Sequence, residues 1–160
     1  MGLRENRFYQ HAKAGIALPT QSISNTTVNG SEIKEPWTLG RQLVLTLVGG
    51  AIATGGTNAC TIQGLKRSDG TTWEALKEKD GTTDLKFTAA KLQDAAALEN
   101  GIVRGCIPLD RVKAGTYKSI RVSFAVTGAF ATLVGASYEI VDLFELDQAA
   151  TDDLFGKLHA

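Results

Sequence analysis

The stretch GTYKSIRVSFAVTGAFATLVGASYEIVDLFEL, residues 115–146, carries the longest run of side chains that obey a single rule. From Tyr117 to Thr127, the apolar Ile120, Val122, Phe124 and Val126 alternate with Ser119, Arg121, Ser123 and Ala125. A repeat of two marks a strand with one buried face, because successive side chains of a strand point to opposite sides. Burying those apolar side chains contributes roughly 6–12 kcal/mol at about 1.5–3 each, an upper bound because the unfolded chain already hides part of that surface. After Gly128 the chain turns through Ala129 and Phe130 and resumes at Thr132, with Val134, Ala136, Tyr138 and Ile140 on one face. The pattern predicts an antiparallel hairpin with Phe130 at its tip. Val141 and Leu143 fall out of phase, which predicts a bulge or burial on both faces of the second strand.

Outward from this stretch, the totals set bounds. A chain of 160 residues can bury one real core without disulfides or metal. Its 17 basic and 17 acidic residues cancel, which removes the electrostatic basis for binding nucleic acid or an anionic membrane. No apolar run reaches the roughly 18 residues of a membrane helix, and the N-terminus, with Arg4, Glu5, Asn6 and Arg7, lacks the apolar centre of a signal peptide. Synthesis and folding in the cytosol are therefore expected. Asn6, where a Ser or Thr is needed, speaks against myristoylation at Gly2. Cys60 and Cys106 lie in apolar, strand-like contexts and read as buried thiols, with a disulfide between them as the alternative.

In chain order, residues 1–14 mix charge with Phe8 and Tyr9 in no clear period and read as an arm, ordered against a neighbour because its apolar content is thin. Ile16 to Leu18 before Pro19 predicts a short edge strand, and Val28 to Lys34 a strand carrying a turn at Asn29-Gly30 and ended by Pro36. Arg41 to Val48 sets Leu43, Leu45 and Leu47 against Val44, Thr46 and Val48, two apolar faces that predict a central strand. The Gly- and Thr-rich 49–58 reads as a surface loop, since it lacks the Gly-Lys-Ser/Thr of a phosphate loop. Ala59 to Lys66, the turn Ser68-Asp69-Gly70-Thr71 and Thr72 to Leu76 predict two paired strands, followed by a second turn at Asp80-Gly81. Leu92, Ala95, Ala96 and Leu98 have helical spacing, with Thr88 as N-cap and Gly101 beyond the end, which predicts a short helix over about 88–99. Ile102 to Leu109 returns to strand, Asp110 to Ala114 reads as one helical turn, and residues 147–160, with Leu154, Phe155 and Leu158, form a tail or weakly amphipathic helix.

Residues with catalytic chemistry are few and scattered. His11 lies in the arm and His159 is penultimate, neither on a rigid element that could hold a general base. Two cysteines without a second close pair do not make a zinc site. Asp69 and Asp80 each precede Gly, a placement that suits a carboxylate bonding its own turn better than a calcium ligand. Asp142, Glu145 and Asp147 would serve glycoside hydrolysis only if two of them flanked a cleft. No catalytic residue and no cofactor or metal is expected. Trp37 and Trp73 read as core anchors, while Phe130 is divided between core and partner contact.

The order of these motifs resembles a family of small structural proteins of tailed bacteriophages that decorate or cement the capsid. The likeness rests on the polar lead-in Ser22-Ile23-Ser24-Asn25-Thr26-Thr27-Val28-Asn29-Gly30, then Trp37-Thr38-Leu39-Gly40-Arg41-Gln42-Leu43-Val44-Leu45. It continues through Gly64-Leu65-Lys66-Arg67-Ser68-Asp69-Gly70-Thr71-Thr72-Trp73. Its last part is Tyr117-Lys118-Ser119-Ile120-Arg121-Val122-Ser123-Phe124 with Leu133-Val134-Gly135-Ala136, and residues 141–160 depart from the shorter members.

The resemblance implies an all-β fold, an antiparallel, jelly-roll-like β-sandwich over residues 15–146 between the two terminal segments. It implies a virion protein on the capsid surface whose partners are the major capsid protein and other copies of itself, a trimer being favoured. Arg7, Phe8, Tyr9, Phe130, Leu154, Phe155 and Leu158 are the expected contacts with capsid or neighbouring subunits. A tail or fibre component, or a carbohydrate-binding β-sandwich module using Trp37 or Trp73, are the alternatives.

Overall fold

The alternation at residues 117–127 does what a period of two demands. Ile120, Val122, Phe124 and Val126 all turn inward and are buried, in a computed structural model that describes residues 12–51, 57–84, 101–128 and 131–143. The described strands are β1 (Ala12–Ser24), β2 (Thr27–Asn29), β3 (Ile33–Lys34), β4 (Gly40–Gly49), β5 (Thr57–Lys66), β6 (Trp73–Ala75), β7 (Gly101–Pro108), β8 (Tyr117–Thr127) and β9 (Ala131–Leu143). A single-turn helix, α1 (Pro36–Leu39), precedes β4, and a 3-10 turn at Leu109–Arg111 occupies part of the predicted helical turn. The expected helix over about 88–99 lies outside the described residues.

The strands form two antiparallel sheets, ordered β1-β9-β4-β7 and β2-β8-β5-β6, with β3 also on β8. β2 and β3 form one interrupted line along β8, for Thr27 to Asn29 pair with Ala125 to Ser123, and Ile33 and Lys34 pair with Ile120 and Ser119 after a one-residue shift. Counted as one strand, they leave eight in which first pairs with last, second with seventh, third with sixth and fourth with fifth. That is a long antiparallel ribbon rolled into a sandwich, the jelly roll. The fold is therefore the all-β, antiparallel, jelly-roll-like sandwich that the resemblance implies.

Several local expectations need correction. β8 and β9 do not pair as a hairpin: β8 sits between β2 and β5, and β9 between β1 and β4 in the opposite sheet. Alternation names the inward side chains but not the neighbouring strand. Here two apolar stripes meet face to face across the core after the chain changes sheets near Gly128, whose φ of 106° is open to glycine alone. Of the two readings offered for β9, a bulge or burial on both faces, the bulge is not there: the irregularity lies in β1, and β9 keeps one register with β4 from Leu143 on Gly40 to Val134 on Gly49. Its register with β1 shifts twice, between Ile16 and Leu18 and between Leu18 and Gln21, around Pro19. Finally, Asn29-Gly30 is no turn: Gly30 donates its N–H to the Val122 carbonyl at 2.8 Å and continues along β8.

β1 is longer than the short edge strand expected and begins at Ala12, taking in residues read as the end of the arm. Its irregularity places both Ala17 and Leu18 in the core. The Ala17 carbonyl accepts the Ser31 N–H at 2.7 Å, which ties the edges of the two sheets together. A Cβ on Gly30 would collide with that same carbonyl and with the Val122 side chain, so only glycine lets the edges approach.

The cysteines are both free, Cys60 on β5 in one sheet and Cys106 on β7 in the other. Burial pushes the Cys60 thiol up to about 12, as read for a buried thiol. Cys106 corrects that reading, because Val103 and Ile107 take the inward phase of β7 and leave it exposed beside Gln42.

Tyr117 is fully buried, and its hydroxyl donates to Glu74 Oε1 at 3.0 Å. Burial first, and the Glu74 carboxylate second, push its phenol up to about 12. A pKa raised on folding stabilises at every pH below the unfolded value and is lost as pH rises through the folded one. Stability should therefore fall between about pH 10 and 12 by on the order of 1–2 kcal/mol, and urea titrations of Tyr117→Phe should lack this component. In the same assay Phe124→Ala, which empties a fully buried core position, should cost about 3–5 kcal/mol.

Candidate contact surface

Arg7, Phe8, Tyr9, Phe130, Leu154, Phe155 and Leu158, the expected contacts, lie outside the described residues, as do His11, His159, Glu145 and Asp147. Among the described residues, no group of three or more His, Cys, Asp or Glu side chains is placed to hold a metal ion. The two turn aspartates bond to their own turns. Asp69 Oδ1 accepts the N–H groups of Thr71 and Thr72 at 3.0 and 2.9 Å, and Asp80 Oδ1 those of Thr82 and Thr83 at 2.9 Å. The Thr72 side chain and then these backbone donors hold the Asp69 carboxyl at about 2, and the Thr83 hydroxyl and turn amides hold Asp80 well below the usual range.

The outer face of the β2-β8-β5-β6 sheet closes on itself. Ser119 hydrogen-bonds Glu32, and the Ser123 hydroxyl donates to Asn29 Oδ1 at 2.8 Å. Arg121 donates from Nε to Gln63 Oε1 at 2.8 Å while its guanidinium lies 4.1 Å from the centroid of the Trp73 ring. Trp73 is thus half-buried under a cation, and a sugar stacking on that side would have to displace Arg121. Trp37, in α1, is half-buried and packs against the core, in keeping with its reading as an anchor.

The outer face of the β1-β9-β4-β7 sheet is different. With Leu43, Leu45 and Leu47 inward, β4 turns Val44, Thr46 and Val48 out, and β9 likewise turns out Leu133, Gly135, Ser137 and Glu139. The register lines up Ile16, Ser137, Thr46 and Arg104 across the four strands, then Gly135, Val48 and Ile102 one step along. Arg104 and Glu139 bridge β4 as an ion pair at 2.9 Å. Around them the face is aliphatic or uncharged. Ile102, Ile16 and Leu133 are 71, 64 and 47 % exposed, and all three belong to this one face.

Between them lies a shallow depression of about 250 Å³, walled by Ile16, Thr20, Thr46 and Val48 and floored by Gly135 and Ser137. Glycine makes the depression possible, since Thr20 Oγ1 lies 2.6 Å from where a Cβ of residue 135 would be. The sequence held the signal for this face in the second apolar row of β4, read there as proof of a central strand. β4 is central, but its outer row is not sealed by a layer of the described chain.

No protein-family model matches the sequence, and no curated protein is close enough to count as a relative. Among solved structures, the VP2 subviral particle of infectious bursal disease virus overlays with a TM-score of 0.47 at 13 % identity, over 92 % of this chain and 34 % of that one. The Gt strain of the same virus gives 0.43 at 14 % identity, over 81 and 33 %. The CBM22-1 xylan-binding domain from Paenibacillus barcinonensis Xyn10C gives 0.41 at 8 % identity, over 84 and 83 %. The chain spans about a third of the length of those two viral chains. The jelly-roll assignment rests on the strand order itself and not on these overlays.

The Trp73–Arg121 contact should be measurable by a double-mutant cycle. Trp73→Ala and Arg121→Ala, alone and together, should show a coupling of about 0.5–1 kcal/mol in chemical denaturation, the range for a partly exposed cation over an indole.

Proposed function

We propose that the chain is a non-enzymatic structural protein of a tailed-bacteriophage virion, made in the host cytoplasm, that decorates the outside of the capsid shell and cements it. The motif order of the sequence supports this reading, and so does a jelly roll in which the exposed large apolar side chains of the described residues gather on one outer face. That gathering is the observation that carries it. A sandwich with one self-satisfied polar face and one adhesive face is built as a platform, rigid beneath and sticky above. The partners on this reading are the major capsid protein and further copies of the chain, with Arg7, Phe8, Tyr9, Phe130, Leu154, Phe155 and Leu158 reaching to them.

The mechanism is additive. Each site on a shell offers a contact of moderate strength, and repetition by symmetry multiplies the number of contacts that must fail together before a capsomer boundary opens. No charge change or bond rearrangement is involved.

Shells that lack the protein, mixed with the purified chain, test this. Binding should saturate at hundreds of copies per shell, and the temperature of DNA release should rise. Phe8→Ala with Tyr9→Ala should weaken binding by about tenfold or more, as expected for aromatic anchors. Saturation at a few copies would favour a tail or fibre position, and binding to glycans but not shells would favour a carbohydrate module.

A further inference from the structure

We propose that the outer face of the β1-β9-β4-β7 sheet pairs with the same face of a second copy across a two-fold axis. This deepens the self-association in the proposed function but stands without the capsid, because it rests on the residues of the face alone.

Charge complementarity selects the occupant. Arg104 and Glu139 lie diagonally across β4, one on β7 and the other on β9, in a face otherwise aliphatic or uncharged at the aligned positions. Such a pair is complementary to itself. A two-fold axis lying between two facing sheets, and crossing the Arg104–Glu139 line at its midpoint at a right angle, sets each arginine over the other copy's glutamate. The result is a closed ring of alternating charges. A basic or acidic partner would leave one of the two charges opposed.

The same axis matches the apolar side chains. On a sheet lattice with strands about 4.8 Å apart and residues about 3.3 Å apart, it carries Ile16 of the second copy onto Val48, at the wall of the depression. Reciprocally, Val48 of the second copy lands on Ile16, as an isologous contact requires. Ile102 of the second copy lands on β1 beside Ile16. Thus the side chains left most exposed on one copy meet apolar positions on the other, without any further adjustment of the axis. Sheets pack face to face in this way about 10 Å apart in sandwich cores.

The area is adequate. Four strands over about eight residues project to roughly 500 Å² per copy, and side-chain relief brings the accessible area toward the roughly 800 Å² per partner of a standard interface. With 17 positive and 17 negative residues, two copies do not repel through net charge.

Sedimentation of the full chain over a concentration series tests the pairing. The wild type should form dimers. Arg104→Glu leaves two carboxylates on the face and Glu139→Arg two guanidinium groups, so each variant alone should dissociate at least about tenfold more readily. An equimolar mixture of the two should dimerise again, a result that a purely intrachain role for the ion pair would not give. Ile16→Lys, at a 64 % exposed position, should also be monomeric while keeping the wild-type far-UV circular dichroism spectrum and a cooperative unfolding transition. A wild-type monomer, a trimer, or a mixture that stays dissociated would overturn the proposal. Shell binding by a monomer would reject this pairing alone, and a dimer that ignores shells would reject only the virion reading.

Discussion

The sandwich depends on two consecutive strands lying at the centres of opposite sheets. β8 carries Ile120, Val122, Phe124 and Val126 inward, and β9 answers with Val134, Ala136 and Ile140, all buried and all in one core. Each strand then needs neighbours on both sides to satisfy its backbone, since a buried N–H or C=O without a partner costs as much as a lost hydrogen bond. β1 and β4 dock on β9, and β2, β3 and β5 dock on β8. The roll of the chain follows from that requirement, because strands that join the flanks in sequence must alternate between the two sheets.

The edge of the roll shows how a local irregularity reaches the surface. Pro19 cannot donate to a ladder and is tolerated in a sheet at an edge or a bulge, and β1 supplies both conditions. The register shifts on either side of Leu18 turn Ala17 and Leu18 into the core together, and the Ala17 carbonyl reaches across to Ser31. The same shifts bring Thr20 over Gly135 and leave Ile16 standing out, which makes one wall of the depression and the knob beside it. Irregular edges also discourage indiscriminate strand addition, so that association is directed to the face instead of the rim.

Strand identity and inward phase were legible because a period of two is a geometric fact about each strand by itself. The rows Leu43-Leu45-Leu47 and Ile120-Val122-Phe124-Val126 are buried as their spacing says, and the Asp69-Gly70 turn joins the strands it was read to join. Pairing was not legible, since β8 and β9 carry the same alternation whether they lie side by side or face to face. α1 went unread because four residues are too few to show a helical period. Cys106 was misplaced because an apolar context does not say which of two faces a side chain takes. The contact face was half legible: the outward row Val44, Thr46 and Val48 is plain in the sequence, but Ile16, Ile102 and Leu133 come from three other strands and meet only through the register.

The contrast between the two outer faces argues that the apolar one has a use. Both are outer faces of sheets in the same sandwich. Yet one spends Arg121, Gln63, Ser119, Ser123, Glu32 and Asn29 on hydrogen bonds that stay within the chain, while the other presents isoleucine, leucine and valine around a single ion pair. A neutral protein with no net repulsion between copies is the kind most prone to indiscriminate association through such a patch. The Arg104–Glu139 pair answers that hazard, because two fixed charges of opposite sign admit one alignment of a facing copy and penalise the others. Apolar area then supplies the attraction, and the ion pair supplies its direction.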